Sequence, residues 1–258
     1  MLTPSRTRSV ASAALMVAVF LAWAPAAAAV TWTTSDADVP RFDAAVASNT
    51  GLSTFNVIGG LGFPPPSGTR VGPLAYNAEY IDLLDGWTED RPLPSARTGL
   101  AAVTTSPDFT YALGGMNAKG AILAANDVFD RSTVPFHWVA KAPMPSGRVN
   151  LSAAALNNHI YAIGGDVLKN GVLTPTRTVQ IYDTTTDTWT AGPRLPVPLD
   201  DTGAAAPGTD ANIYVFGGWD NGAQAHAYSL DTSNLGAGWV ALPDYANGRG
   251  SAGSHVRP

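Results

Sequence analysis

Short apolar runs that end in a double glycine recur along the chain. The runs FNVIGG, YALGG, YAIGG and YVFGG end 55, 50 and 53 residues apart, at Gly60, Gly115, Gly165 and Gly218. Each run is long enough for one β-strand, and two adjacent glycines let the chain leave that strand sharply. A tryptophan follows each run, in steps of 51, 51 and 50 residues, at Trp87, Trp138, Trp189 and Trp239. A period of about 50 residues predicts a repeat fold, and the length suits a four-stranded propeller blade.

The third repeat shows the order of strands within one period most clearly. A strand rich in small residues leads to Asn157-Asn158, which is a hairpin turn signal. His159 to Ile163 is the aromatic and β-branched strand, and Thr178 to Tyr182 is the third. Trp189 opens the fourth strand, and prolines end it because proline cannot donate to a β-ladder.

The same order of parts predicts four complete repeats, at about residues 41–96, 97–147, 148–198 and 199–248. Arginine follows tryptophan by 10 residues at three junctions and by nine between Trp32 and Arg41. The fourth repeat departs from this pattern and opens at Leu199-Asp200-Asp201. Partial blades are predicted at 30–40 and 249–258.

This grammar resembles the kelch repeat, and the resemblance covers about residues 31 to 255. It implies an all-β fold, a β-propeller in which each repeat is one four-stranded blade. The related WD40 repeat is disfavoured because its Gly-His and Trp-Asp signature does not close any repeat here. The resemblance gives structural roles to the double glycines and to the tryptophans, which are expected to pack between blades: Gly59, Gly60, Gly114, Gly115, Gly164, Gly165, Gly217, Gly218, Trp32, Trp87, Trp138, Trp189 and Trp239.

Kelch propellers usually have six or seven blades, whereas four are encoded here. Three explanations follow: the sequence is a fragment of a longer protein, the ring closes by association of chains, or four blades close alone. Four is the lower limit of the usual propeller range. An open arc would expose strand edges, which favour self-association.

Composition adds a compartment and excludes several kinds of chemistry. Residues 1–29 have a basic start, an apolar centre and a small-residue end at Ala27-Ala28-Ala29, which predicts a signal peptide and a secreted or periplasmic protein. The formal charge is −5, and it becomes −7 without this segment, which holds two arginines and no acid. Nucleic acid is therefore not an expected partner, nor is a membrane after signal cleavage. The absence of cysteine excludes disulfides, thiolate metal sites and a cysteine nucleophile.

The candidate ligand face is formed by the loops between second and third strands together with the junctions between blades. Strand directions alternate, so these segments lie at one end of the propeller, where loops on a rigid scaffold commonly bind ligands. The candidate binding residues are Arg41, Arg97, Arg148, Arg249, Asp200, Asp201, Trp219, Asp220 and Asn221. The junction arginines have an alternative structural role, because they recur in step with the tryptophans. Trp219 is expected to be an exposed aromatic anchor for a protein or a sugar.

Catalysis has less support than binding. The four histidines occupy four different places within their repeats, and no GxSxG, HExxH or Walker motif occurs. We therefore predict no catalytic residue, no metal and no cofactor. A binding scaffold for a protein or a glycan is the main hypothesis. The alternatives are a carbohydrate-active enzyme resembling kelch-type sialic acid mutarotases and a non-functional fragment.

Overall fold

The structure is a computed structural model that describes residues 41–49, 51–62, 72–220 and 222–244. The predicted signal peptide, both predicted partial blades, Trp32, Asn221 and Arg249 lie outside these ranges. The described chain is all-β apart from two short 3₁₀ turns, and it forms four four-stranded antiparallel sheets, so the predicted fold class is confirmed. Within these ranges no helix has the length and apolar character needed to span a membrane.

Each blade is one four-stranded sheet, and short additional strands lie in the junctions and loops of blades one and three. The first blade and its loops contain β1 Arg41–Phe42, β2 Ala45–Asn49, β3 Thr54–Ile58, β4 Leu61–Gly62, β5 Gly72–Pro73, β6 Asn77–Ile81, the 3₁₀ turn η1 Asp82–Leu84 and β7 Gly86–Glu89. The second contains β8 Ala101–Ser106, β9 Phe109–Leu113, β10 Asn126–Asp130 and β11 His137–Ala140. The third contains β12 Ser152–Leu156, β13 His159–Ile163, β14 Asp166–Lys169, β15 Val172–Pro175, β16 Val179–Asp183 and β17 Thr188–Ala191. The fourth contains β18 Gly203–Ala205, β19 Asn212–Phe216, β20 Ala227–Asp231, η2 Leu235–Ala237 and β21 Trp239–Leu242.

The blade sheets have the orders β2-β3-β6-β7, β8-β9-β10-β11, β12-β13-β16-β17 and β18-β19-β20-β21. Two further small sheets, β1-β4-β5 and β14-β15, arise from junctions and from loops between second and third strands. The innermost strands β2, β8, β12 and β18 lie beside one another in that order. Their small side chains let the blades approach closely near the axis, in keeping with the alanine-rich first strands.

Apolar side chains fill the three spaces between successive blades. Alternation along each strand sends one set of side chains toward the preceding blade and the other toward the following blade. In β13, for example, Ile160 and Ala162 join the core shared with blade two, whereas Tyr161 and Ile163 join the core shared with blade four. The hydrophobic core is therefore divided into three interblade layers.

Each interblade layer also contains a tryptophan whose indole N–H binds the preceding blade. Trp138 donates to the carbonyl of Arg91 at 2.7 Å, Trp189 to that of Ala142 at 2.7 Å, and Trp239 to that of Pro193 at 2.9 Å. Every acceptor lies four residues after the tryptophan of the preceding blade. The equivalent indole nitrogen of Trp87 is buried and has no hydrogen-bond partner among the described residues.

The double glycines join each blade to the next junction. Gly165 donates its N–H to the carbonyl of Leu199 at 2.9 Å, and Gly115 donates to that of Arg148 at 2.8 Å. Gly164 has a φ of +59°, and a Cβ there would collide with the same Leu199 carbonyl oxygen. The close approach of two backbones explains why glycine, and no larger residue, ends this strand.

The described parts of the four blades follow one another in an arc and are joined by three hydrophobic cores. Among the described residues, no hydrophobic core joins blade four to blade one. In blade four, Tyr214 and Phe216 occupy the positions that pack against a following blade in blade three. Phe216 is 41% exposed, and its ring stacks on that of Tyr214. The far face of blade four is therefore apolar and open.

Candidate functional site

The junction arginines Arg97 and Arg148 are fully buried inside their blades and do not line the loop face. Their placement does not fit the predicted ligand-binding role and matches the structural alternative. Arg41 lies in β1, where its backbone pairs with Gly62. Arg249 lies outside the described residues.

Arg148 is a cation held largely by neutral acceptors. Its Nη1 donates to the carbonyls of Ala162, Gly164 and Thr178 at 3.2, 2.8 and 3.0 Å, and its Nη2 donates to Oε1 of Gln180 at 2.7 Å. Burial lowers the pKa of Arg148 to about 10. The guanidinium thus ties the end of the second strand to the third strand of the same blade.

Arg97 makes the corresponding link in blade two with a charged partner. Its Nη2 lies 2.8 Å from Oδ2 of Asp127 and donates to the carbonyl of Ala112 at 3.2 Å. Asp127 and Gln180 occupy the same place in β10 and β16, so one blade supplies a carboxylate where the other supplies an amide. Burial lowers the pKa of Arg97, and Asp127 opposes that shift.

A belt of four residues, Asp43, Gly99, Asn150 and Asp201, runs from blade to blade along the loop-face end of the innermost strands. The N–H of Gly99 donates to the carbonyl of Asp43 at 3.2 Å, that of Asn150 to Gly99 at 2.7 Å, and that of Asp201 to Asn150 at 2.9 Å. All four residues have positive φ, from +49° to +60°. This belt joins each blade to its neighbour through backbone alone, so the position of its side chains is fixed by the propeller.

Asp, Gly and Asn fill the belt because these residues adopt the left-handed conformation most readily. At Gly99 a Cβ would also lie 2.5 Å from Oδ1 of Asn150. Asp43 and Asp201 are half-buried, whereas Asn150 is buried and donates to Oδ2 of Asp166 at 3.0 Å. We call the loop-face end of the innermost strands, around Asp43 and Asp201, the mouth of the arc. The half-buried side chains there are carboxylates, whereas the sequence had indicated arginines.

The residues Asp200, Asp201, Trp219 and Asp220 lie at the junction of blades three and four, where Asp200 pairs with Trp219. Asp200 and Trp219 pair through two backbone hydrogen bonds, of 2.9 and 3.3 Å. Asp200 is fully buried, and Trp219 and Asp220 are half-buried, so Trp219 is less exposed than the sequence suggested. Gln224 donates to the carbonyls of Asp220 and Gly222 and holds this loop in shape. Asn221 lies outside the described residues.

The belt could have been found in the sequence, although only the arginines drew attention. Asp43, Gly99, Asn150 and Asp201 each lie two residues after the junction position, and all four are residue types that tolerate positive φ. What the sequence could not reveal is which side of the junction faces solvent. The side that faces solvent depends on how closely the second and third strands of the blade cover the guanidinium of the junction arginine.

The site has no feature of a metal centre or of a catalytic histidine cluster within the described ranges. No group of three histidine, aspartate or glutamate side chains there lies close enough to hold a metal ion. His226 lies 3.1 Å from Asp244, and His137 and His159 contact nearby backbone carbonyls. The expectations of no metal, no cofactor and no catalytic residue stay predictions.

Comparison with known proteins agrees with the repeat architecture. The kelch motif family model matches residues 147–196. The chain is 28% identical over 148 residues to an F-box/kelch-repeat protein of Arabidopsis thaliana, covering 57% of this chain and 38% of that protein. It is 29% identical over 157 residues to a kelch repeat and BTB domain-containing protein of Homo sapiens, covering 55% and 25%. It is also 26% identical over 155 residues to beta-scruin of Limulus polyphemus, covering 57% and 17%. The matched segment thus spans well under half of each relative.

Proposed function

Because the chain belongs to the kelch repeat family, we propose that it is an exported scaffold that binds a basic segment of a partner protein at its loop face. Kelch propellers typically bind other proteins. Export is supported by the pattern of residues 1–29, and the charge of the remaining chain is negative. The observation that carries the proposal is the belt at the mouth of the arc, where Asp43 and Asp201 are fixed by backbone hydrogen bonds.

The charge of this mouth selects the chemistry of the partner. Arg97 and Arg148 are buried inside their blades, so their guanidinium groups lie away from the loop face, where Asp43, Asp201 and Asp220 are half-buried. A surface with fixed negative groups favours a partner with lysine or arginine side chains and speeds its association at low salt. Trp219 adds a half-buried aromatic group beside these carboxylates, the kind of residue that commonly anchors a protein interface.

The proposal is tested with two immobilised peptides of equal length, one rich in lysine and one rich in glutamate. We expect the full chain to bind the lysine-rich peptide in a saturable, salt-sensitive manner and to ignore the other. The double variant Asp201→Asn/Asp220→Asn should weaken this binding at least about tenfold, because close charge pairs at interfaces each contribute about 1.5 kcal/mol or more. Asparagine tolerates the positive φ of Asp201, so the belt should persist.

The matched control is Asp210→Asn/Asp231→Asn, which removes the same charge at the opposite end of blade four. Both aspartates are exposed. Asp210 lies in the hairpin between β18 and β19, and Asp231 is the last residue of β20. This control should bind the lysine-rich peptide like the parent chain. Equal loss in both double variants would mean that net charge, and not the mouth, determines binding, and the proposed site would be rejected.

A glycan is the second candidate ligand for the loop face. Trp219 places an indole next to the carboxylate of Asp220, and an aromatic ring beside polar groups suits a sugar. Trp219→Ala would then abolish sugar binding, whereas Asp201→Asn would leave it unchanged. Loss of lysine-peptide binding together with sugar binding in Trp219→Ala would favour a shared aromatic anchor over the acidic mouth.

A further inference from the structure

Blade one has a row of aromatic side chains on the side that faces away from blade two. Phe55, Tyr80 and Trp87 lie opposite one another in β3, β6 and β7. Their rings contact one another at centroid distances of 5.2 to 5.4 Å, and all three side chains are half-buried. Val46 lies on the same side of β2 and is 39% exposed. We call these four residues the blade-one face.

In the other three blades, the blade before them covers the corresponding positions. The equivalent rows are Thr110, Phe129 and Trp138; Ile160, Tyr182 and Trp189; and Ile213, Leu230 and Trp239. The first two members of every row are at most 1% exposed. The residues equivalent to Val46 pack on the core shared with the preceding blade, and they are Ala102, Ala153 and Ala204. The blade-one face thus has the pattern of an interblade surface but is only partly covered.

Blade four has the complementary surface on the side that faces away from blade three. Phe216 is the last residue of its strand and is 41% exposed, whereas the residues at the same place in the other blades are fully buried, namely Ile58, Leu113 and Ile163. Tyr214 stacks on Phe216, and Val240 in the neighbouring outer strand is 57% exposed. Tyr214, Phe216 and Val240 form the blade-four face, which has the side-chain pattern that meets a following blade.

The tryptophan hydrogen bonds indicate how these two faces fit together. Three indoles donate to the carbonyl of the residue four positions after the tryptophan of the preceding blade. The indole nitrogen of Trp87 is buried and has no partner within the described ranges. Pro243 holds the acceptor position after Trp239, and none of the three indoles binds its carbonyl. Blade one therefore has the donor, and blade four the acceptor, of one further bond of this series.

A single chain does not bring the two faces together. The innermost strand β2 lies beside β8, β8 beside β12 and β12 beside β18, whereas β2 and β18 are not neighbours. Contact between the blade-four face and the blade-one face thus requires a second chain. Because the two faces are different surfaces, the contact is heterologous, and heterologous contacts close into a ring when the rotation between the subunits allows it.

We propose that the blade-four face docks on the blade-one face of a second copy of this chain. The contact continues the packing that already joins successive blades three times within one chain. Trp87 of one copy then donates to the carbonyl of Pro243 of the other. When each blade four covers the other copy's blade one, two chains of four blades close a ring of eight, which lies within the usual propeller range.

The test combines two variants that each alter one face. Light scattering over a concentration series should give the parent chain a mass of two copies. Phe216→Glu and Val46→Glu should each stay monomeric, because a carboxylate at the contact must lose its water and both contacts of the pair carry the change. An equimolar mixture of the two variants should regain a mass of two copies, since one unaltered blade-four face meets one unaltered blade-one face.

Leu83→Glu is the matched control, because it adds the same charge at an exposed leucine outside both faces, and it should pair like the parent. Trp87→Phe should weaken pairing about two- to tenfold, the range expected for one lost hydrogen bond. Circular dichroism melting verifies that each variant is folded. A parent that stays monomeric at every concentration overturns the proposal. So does a mixture no heavier than the separate variants, which would mean that like faces pair with like.

Discussion

Single buried side chains determine how tightly each blade closes on itself. Arg148, for example, donates to three backbone carbonyls and to the side chain of Gln180. Its recurrence in step with the tryptophans could be seen in the sequence and suggested a structural role. Its burial could not be predicted from the sequence, because an arginine next to a loop is usually exposed unless another strand covers it.

Replacement of Arg148 with methionine should lower the free energy of unfolding by at least about 3 kcal/mol, because each buried carbonyl left without a donor costs about 1 to 3 kcal/mol. Urea unfolding monitored by tryptophan fluorescence measures the change. The exposed Arg194→Met is the control and should stay within about 0.5 kcal/mol of the parent. A small effect of Arg148→Met would show that water reaches these carbonyls.

Asp187 gives one blade junction a dependence on pH. Its Oδ1 accepts from the Tyr182 hydroxyl at 2.6 Å and from the Ala142 N–H of the preceding blade at 2.8 Å, and these bonds lower the pKa of Asp187. A depressed pKa in the folded state means that the stabilisation is complete above the unfolded pKa of about 3.9 and is lost as the pH falls through the folded value.

Asp187→Asn should therefore reduce the slope of unfolding free energy against pH below about pH 4. Asp85→Asn is the matched control, since Asp85 accepts from Tyr80 at 2.6 Å and has a similar positive φ. Among the described residues Asp85 receives no N–H from another blade, so its substitution should change the slope less. Identical slopes in Asp187→Asn and the parent would contradict this assignment.

At the scale of strands and turns, the sequence predicted the four-stranded blades well and the loops poorly. Alternating apolar runs, double glycines and tryptophans are local signals that the fold preserves. The hairpin β14-β15 was expected only as a loop, although Asn170-Gly171 at its tip is a strong turn signal. Both residues have positive φ, which the twist of a tight hairpin requires.

The contribution of the tryptophan hydrogen bonds between blades to stability can be measured by comparing two tryptophan substitutions. Trp189→Phe removes the bond to the Ala142 carbonyl, whereas Trp87→Phe removes a buried N–H that has no acceptor in the part of the chain that the structure describes. Both lose similar apolar area, so Trp189→Phe should destabilise the protein by about 1 kcal/mol more than Trp87→Phe. Urea midpoints give this difference. Equal losses would show that ring packing, and not the hydrogen bond, holds the blades together.

Among the described residues, strong links between neighbouring blades are combined with an exposed apolar face on blade four. Cores, indole bonds and the belt connect blades one to two, two to three and three to four. The sequence predicted the number of blades because each repeat carries its own signals. It could not predict how the ends meet, because closure depends on the angle between successive blades, which no local pattern encodes.

The apolar far face of blade four leads to an expectation about assembly. Phe216 and Val240 are 41% and 57% exposed there, at positions that other blades use to pack against a neighbour. Burial of such a face is favourable by roughly 25 cal/mol per Å² of apolar surface, so chains should associate through it as concentration rises. Size-exclusion chromatography with light scattering measures the mass over a concentration series.

Phe216→Glu should shift this association toward the monomer, because a carboxylate on the face must lose its water when two faces meet. The control is Leu83→Glu, since Leu83 is 89% exposed but lies in the turn η1, away from the end face. If the blade-four face drives assembly, only Phe216→Glu lowers the average mass. If Leu83→Glu lowers it equally, exposed apolar groups act without regard to place, and the end face has no special role in assembly.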